Sequence, residues 1–289
     1  MPVGPYGALL DAVRGVRWPA RRPVPQGAPG AHQARSRGAA PEFAEYRPYR
    51  QGDDPRRLDW KLLARSDRAF IRLAPDHATL GTTFVVDASA SMGFPAADAN
   101  KWTTAKAVAV GLAAVAHASG DPVGLLVNAN TGPIRLQPRT RAGVLADITR
   151  TLNGVEPSGA RPLTPLLAAS AARCVLITDC LGDFDSWRAA LAQHVVRGGE
   201  AYLVHVVSRQ ELEPPPTDVM ARDPEDPSLE RPLVPFTRDG YRQRFAAFRT
   251  DVAQRCRRDG VVVHEIVDDE PVELVVRRVA RAGVLEVTR

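Results

Sequence analysis

Short apolar runs recur from residue 82 onward, at 83–86, 123–127, 174–178, 201–207 and 261–267, and each predicts a strand. Helical patterns fill the intervals. Residues 101–119 are Ala-rich and apolar nearly all round, which predicts a helix packed deep against a sheet. Residues 141–152 read as an amphipathic helix, and 164–172 as a helix with Pro165 in its first turn. Residues 184–196 form a helix ended by Gly198 and Gly199, 241–258 a helix stopped at Gly260, and 271–281 a last helix. Apolar strands alternating with helices predict an α/β fold, a mostly parallel sheet with helices on both faces.

The flanking segments break this rhythm. Residues 1–41 are rich in Pro, Gly, Ala and Arg, with a short helix possible over 11–18, and read as a flexible N-terminal arm. Residues 42–80 interleave aromatic and charged side chains around the turn Gly52-Asp53-Asp54-Pro55, and 69–73 alternates like a strand, giving an N-terminal β or irregular segment that packs on the main domain. Residues 81–289 make the main domain, with an insertion at about 209–239. That insertion is Pro-rich and acidic, and a hairpin is expected around 223–228.

Composition changes the picture in two ways. Thirty-five of the 38 basic residues are arginine, the net charge is +5 and the pI is about 9.4. A GC-rich genome explains this bias, and so does a surface that pairs carboxylates or phosphates. Three scattered cysteines, no signal peptide and no apolar run of about 20 residues point to the cytoplasm.

The candidate chemistry lies at strand ends. In an open α/β sheet, ligands sit beyond the carboxyl ends of the strands. Asp87 closes the run 83–86, and Ser89 and Ser91 follow it at alternate positions, the Asp-x-Ser-x-Ser pattern of a metal-ion-dependent adhesion site. Asp179 ends the run 174–178, and Thr164 opens a helix on another loop. Asp183 is a second carboxylate nearby, better suited to cap the helix that follows it. Asp87, Ser89, Ser91, Thr164 and Asp179 form an all-oxygen set with two carboxylates, suited to Mg²⁺ or Mn²⁺. Such a site keeps net positive charge and can accept a partner's carboxylate. The same residues taken singly would serve as turn and helix caps. No P-loop, dinucleotide fingerprint, nucleophile elbow or zinc spacing occurs, and no histidine is expected near Asp87 or Asp179.

The stretch from Glu42 to Arg65, with Tyr46-Arg47-Pro48-Tyr49-Arg50-Gln51-Gly52-Asp53-Asp54-Pro55-Arg56-Arg57-Leu58-Asp59-Trp60-Lys61 at its centre, resembles the signature of the bacterial domain of unknown function 58 family. The likeness continues through Phe70-Ile71-Arg72-Leu73 into Asp87-Ala88-Ser89-Ala90-Ser91-Met92 and spans roughly residues 35 to 281. That family is similar to von Willebrand factor A domains. The resemblance implies a six-stranded, mostly parallel sheet with one antiparallel edge strand, and metal ligands at Asp87, Ser89, Ser91, Thr164 and Asp179. It also implies a MoxR-type AAA+ ATPase as partner, because genes for such ATPases commonly neighbour the family's own. Many members carry N-terminal membrane helices and an extra β domain, for which this sequence shows no pattern.

The expected function is a non-enzymatic, divalent-metal-dependent protein-interaction module acting with that ATPase in assembly or maturation of protein complexes. A metal-dependent phosphohydrolase and an Arg-rich nucleic-acid-binding protein are the alternatives, and no nucleic-acid motif supports the second. The Arg-rich segment 46–65 fits either an ion-pair network or a docking surface, with Trp60 as its anchor.

Overall fold

A computed structural model of the chain describes residues 5–21, 29–38, 45–50, 58–66, 68–95, 101–226 and 228–281. It divides into two units, residues 1–18 with 81–289, and residues 19–80.

The first unit begins with helix α1 (Gly7–Ala12), which packs on two later helices. Trp18 is 1 % exposed, its ring edge-on to Tyr202 at 5.1 Å and under the Arg173 guanidinium at 4.4 Å. The flexible arm expected over residues 1–41 is therefore corrected over its first part. Leu9, Leu10, Val13 and Trp18 bury an apolar surface that the surrounding Pro, Gly and Arg disguise.

The second unit contains β1 (Pro29–Gly38), β2 (Glu45–Pro48), α2 (Trp60–Ser66) and β3 (Phe70–Ala78). The strands form an antiparallel sheet in the order β1-β3-β2. The Asp59 carboxylate caps α2, accepting from the Lys61 and Leu62 amides at 3.0 Å each. Trp60, expected as an anchor, is 64 % exposed. Arg56 and Arg57 of the supposed ion-pair network lie outside the described residues.

The rest of the first unit runs β4 (Thr82–Asp87), α3 (Lys101–Ala118), β5 (Val123–Ala129), β6 (Gly132–Arg139), α4 (Val144–Asn153), α5 (Thr164–Leu167), β7 (Arg173–Thr178), α6 (Phe184–Val196) and β8 (Glu200–Val207). It closes with α7 (Arg209–Leu212), β9 (Val219–Arg222), β10 (Glu230–Leu233), α8 (Pro235–Arg258), β11 (Val262–Val267) and α9 (Val272–Arg281). Six of these strands form one sheet in the order β11-β8-β7-β4-β5-β6, parallel throughout except at the β5–β6 edge. This is the α/β architecture that the von Willebrand factor A resemblance implies.

Each of β4, β5, β7 and β8 is buried at every residue, which explains their unbroken apolar runs. Successive side chains serve opposite faces: Phe84 and Val86 join the core under α3, α4 and α9, while Val85 joins the one under α5, α6 and α8. β6 escapes the apolar-run criterion. Ile134 and Leu136 alternate with exposed Arg135 and Gln137, and Pro133 and Pro138 are tolerated because the strand lies at an edge. No described helix is long and apolar enough to cross a membrane.

β4 is the switch point of this sheet. The chain leaves it through α3 to β5 on one side, and later returns to β7 on the other. Such a reversal opens a crevice at the carboxyl ends of the two strands.

Candidate metal centre

Asp87 ends β4 with its carboxylate 2 % exposed and held from two sides. The Ser89 amide donates to Oδ1 at 3.0 Å and the Thr178 hydroxyl to Oδ2 at 2.7 Å. Both donors follow from position: the first is the turn that bends the chain off the strand, and the second is the last residue of neighbouring β7. Ser89 and Ser91 then meet, Oγ to Oγ, at 3.1 Å. The loop that carries them is tied to the loop before Thr164, since Ala90 donates to the Gly159 carbonyl at 2.8 Å and Ser158 to the Ala88 carbonyl at 2.9 Å. Gly159 has φ +65, a left-handed backbone in which a side chain would be strained, so the tie favours glycine. The Asn128 side-chain amide fixes the same loop further on by donating to the Arg161 carbonyl.

These ties bring Asp87, Ser89 and Thr164 to the wall of one cavity of about 220 Å³, with Asp183 and Glu225 also lining it. Among the described residues, the Thr164 hydroxyl has no hydrogen-bond partner and is available to a ligand. Asp183 accepts from the Ser186 amide at 3.4 Å and caps α6, the role expected for it.

Asp179 is as buried as Asp87, at 3 % exposure, but does not line the cavity. Its Oδ1 accepts from the Leu181 amide at 3.1 Å and its Oδ2 from Lys101 Nζ at 2.7 Å. Lys101 begins α3 with its side chain 1 % exposed, and its ammonium also reaches Glu211 Oε1 of α7 at 2.7 Å. Cys180, next to Asp179, takes φ +63, the left-handed backbone that a non-glycine residue adopts only when its surroundings force it. A buried histidine also meets this turn, against expectation: His205 Nε2 lies 3.1 Å from the Asp179 carbonyl. Burial lowers His205 to about 4, so it is neutral, and at 1 % exposure it cannot reach the cavity.

Sequence reasoning thus missed Lys101, Glu211, Glu225 and His205. The scarcity of lysine is a usable signal, since a lysine at the first position of a buried helix behind the serine loop needs a carboxylate partner. The acidic insertion was noticed, but nothing local showed where its glutamates point.

The electrostatics leave room for a cation. Burial, and next the charge of Asp179, push the Asp87 carboxyl up to about 6, against the hydrogen bonds from Thr178 and Ser89. Burial works against the charged form of Lys101, but Asp179 and Glu211 outweigh it and hold the ammonium above its ordinary value. Lys101 therefore answers Asp179 and Glu211, while Asp87 lacks a counter-charge of its own. Among the described residues no three His, Cys, Asp or Glu side chains group as a metal centre. Of the expected set, the cavity brings together the Asp87 carboxylate with the Ser89 and Thr164 hydroxyls, all-oxygen donors that fit a hard divalent cation that keeps waters and do not fit zinc or a softer metal.

The model of a family described as "Protein of unknown function DUF58" matches residues 45–255. The chain is 30 % identical over 243 residues to "Uncharacterized protein Rv1480" of Mycobacterium tuberculosis, covering 79 % of this chain and 75 % of that one. Among solved structures it is similar to BatB from Bacteroides thetaiotaomicron, with 15 % identity, a TM-score of 0.49, and coverage of 72 % of this chain and 100 % of that one. It is also similar to the SpRpn10 VWA domain, with 11 % identity, a TM-score of 0.40, and coverage of 68 % and 94 %.

Proposed function

The chain belongs to the DUF58 family, and from that premise we propose that it is a protein-interaction module that binds its partner through a divalent cation, Mg²⁺ or Mn²⁺. The observation that carries this reading is the convergence of Asp87, Ser89 and Thr164 on one cavity at the switch point of the sheet, with Asp87 buried and short of a counter-charge. Ser91, bonded to Ser89, completes the hydroxyl set, and Asp179, buried at the end of β7, supplies the second carboxylate of the expected set. A bound divalent ion supplies an electrophilic centre that accepts a carboxylate oxygen from outside the chain. The protein's part is positional. Thr178 and the Ser89 amide hold the Asp87 carboxylate in one orientation, and Lys101 balances Asp179 so that the donor set is not over-charged.

The partner we assign is a MoxR-type AAA+ ATPase, in assembly or maturation of protein complexes in the cytoplasm, with no role for nucleic acid. The support is the family resemblance read from residues 42–92. We read the site as binding and not catalytic, because His205, the imidazole that meets the Asp179 turn, is buried and engaged with a backbone carbonyl. The test is binding of the purified chain to a MoxR-type ATPase of the same organism, in Mg²⁺ and in EDTA, with Asp87→Ala as the second arm. Affinity should fall by about tenfold or more in EDTA and in the variant. Equal affinity in all arms would overturn the proposal.

A further inference from the structure

The hairpin β9–β10 brings a carboxylate to the cavity from a remote part of the sequence. Its strands pair Arg222 with Glu230, and the Arg222 guanidinium clamps Glu230 across the pair. At the tip, Asp223 Oδ1 accepts from the Glu225 amide at 2.8 Å and the Asp226 amide at 3.3 Å, which fixes the turn. The turn projects Glu225 back into the cavity, where the Ser91 hydroxyl donates to its Oε1 at 3.2 Å across 134 residues of sequence. Asp87 lines the same cavity, and the charges of Asp179, Asp223 and the Lys101 ammonium reach Glu225. The Lys101 ammonium already answers Asp179 and Glu211, so a further carboxylate in that setting gains from an added cation.

Resting on the reading that this cavity holds a divalent cation, we propose that Glu225 is a resident member of the metal site: it adds the chain's own carboxylate to the oxygen set, and a partner's carboxylate binds by displacing it. The hairpin tip is then a built-in competitor. It keeps the site satisfied when no partner is present and raises the affinity that a partner needs.

The experiment uses the full chain and Mn²⁺ alone as probe, with affinity read by electron paramagnetic resonance and bound waters by water-proton relaxation. Glu225→Ala should weaken Mn²⁺ by about tenfold or more and add about one water to the bound ion. Asp226→Asn, which removes an exposed charge from the same tip while keeping an acceptor oxygen for the Ser228 amide and hydroxyl, should stay within about twofold and shows whether net charge alone acts. Acetate, as a stand-in for a partner's carboxylate, should displace water from the ion at several-fold lower concentration in Glu225→Ala than in the unaltered chain. If Asp87→Ala loses Mn²⁺ while Glu225→Ala matches the unaltered chain in affinity and water count, the role of Glu225 is overturned and the metal site stands. If the unaltered chain binds no Mn²⁺, both are overturned.

Discussion

Replacing Lys101 with methionine removes one charge from a buried ion cluster while keeping a similar length of side chain. Its ammonium touches Asp179 and Glu211 at 2.7 Å each, and the side-chain exposures are 1 % for Lys101, 2 % for Asp179 and 13 % for Glu211. At an effective dielectric constant of about 20, each contact is worth roughly 6 kcal/mol of Coulomb energy. Desolvation of the three groups offsets most of that sum. Truncating one partner is different, because it leaves Asp179 and Glu211 buried with no neutralising charge, at a cost of about 3–5 kcal/mol. Urea denaturation in EDTA, followed by tryptophan fluorescence, measures this well, since Trp18, Trp102 and Trp187 are all buried in the same unit. In a domain of this size the loss corresponds to a fall in Tm of about 6–20 °C. Saturating Mg²⁺ should shrink the loss, because a cation beside Asp87 partly replaces the missing ammonium. A loss below about 1 kcal/mol in EDTA would refute the reasoning, since it would make the cluster equivalent to a solvated surface pair.

Trp18→Ala should cost about 3–5 kcal/mol in the same denaturation assay, because Trp18 fills the space between Phe84, Tyr202 and Arg173; a loss under 1 kcal/mol would return residues 5–18 to the status of a loose arm. Gly124→Ala would set a Cβ 2.7 Å from the Leu136 carbonyl oxygen and 2.8 Å from the Pro138 nitrogen. It should lower stability by about 1–3 kcal/mol and speed hydrogen exchange over residues 132–139, and unchanged exchange would contradict the tight β5–β6 contact. All three cysteines are free and buried, and burial pushes Cys174 and Cys256 up to about 12. A thiol reagent at pH 8 should therefore modify none of them until urea is added, whereas rapid labelling of the native chain would place a thiol at the surface.

The fold was legible where a single local rule decides. β4, β5, β7 and β8 are buried on both faces, so their apolar runs announce them without knowledge of their neighbours. The same holds for Asp87 and its two serines, which sit together in sequence. β6 was hidden because its prolines argue against a strand unless its edge position is known. The start of α8 was placed at 241 and lies at Pro235; Gly240 inside the helix lowers its local propensity, which the capping of Val234 and Thr237 and the first-turn proline offset. What could not be read is the wiring between distant residues. Lys101 meets Asp179 and Glu211 across 78 and 110 positions, and Ser91 meets Glu225 across 134. Only the closing of the sheet and the folding back of the insertion bring those pairs together, and no local pattern encodes either.

Calorimetric titration of the purified chain with Mg²⁺, beside Asp87→Ala, tests most directly whether this donor set is a metal site. The account predicts one ion per chain in the unaltered protein and affinity reduced by about tenfold or more in the variant, with both chains folded by circular dichroism. Absence of binding to the unaltered chain, or equal binding to Asp87→Ala, would contradict it.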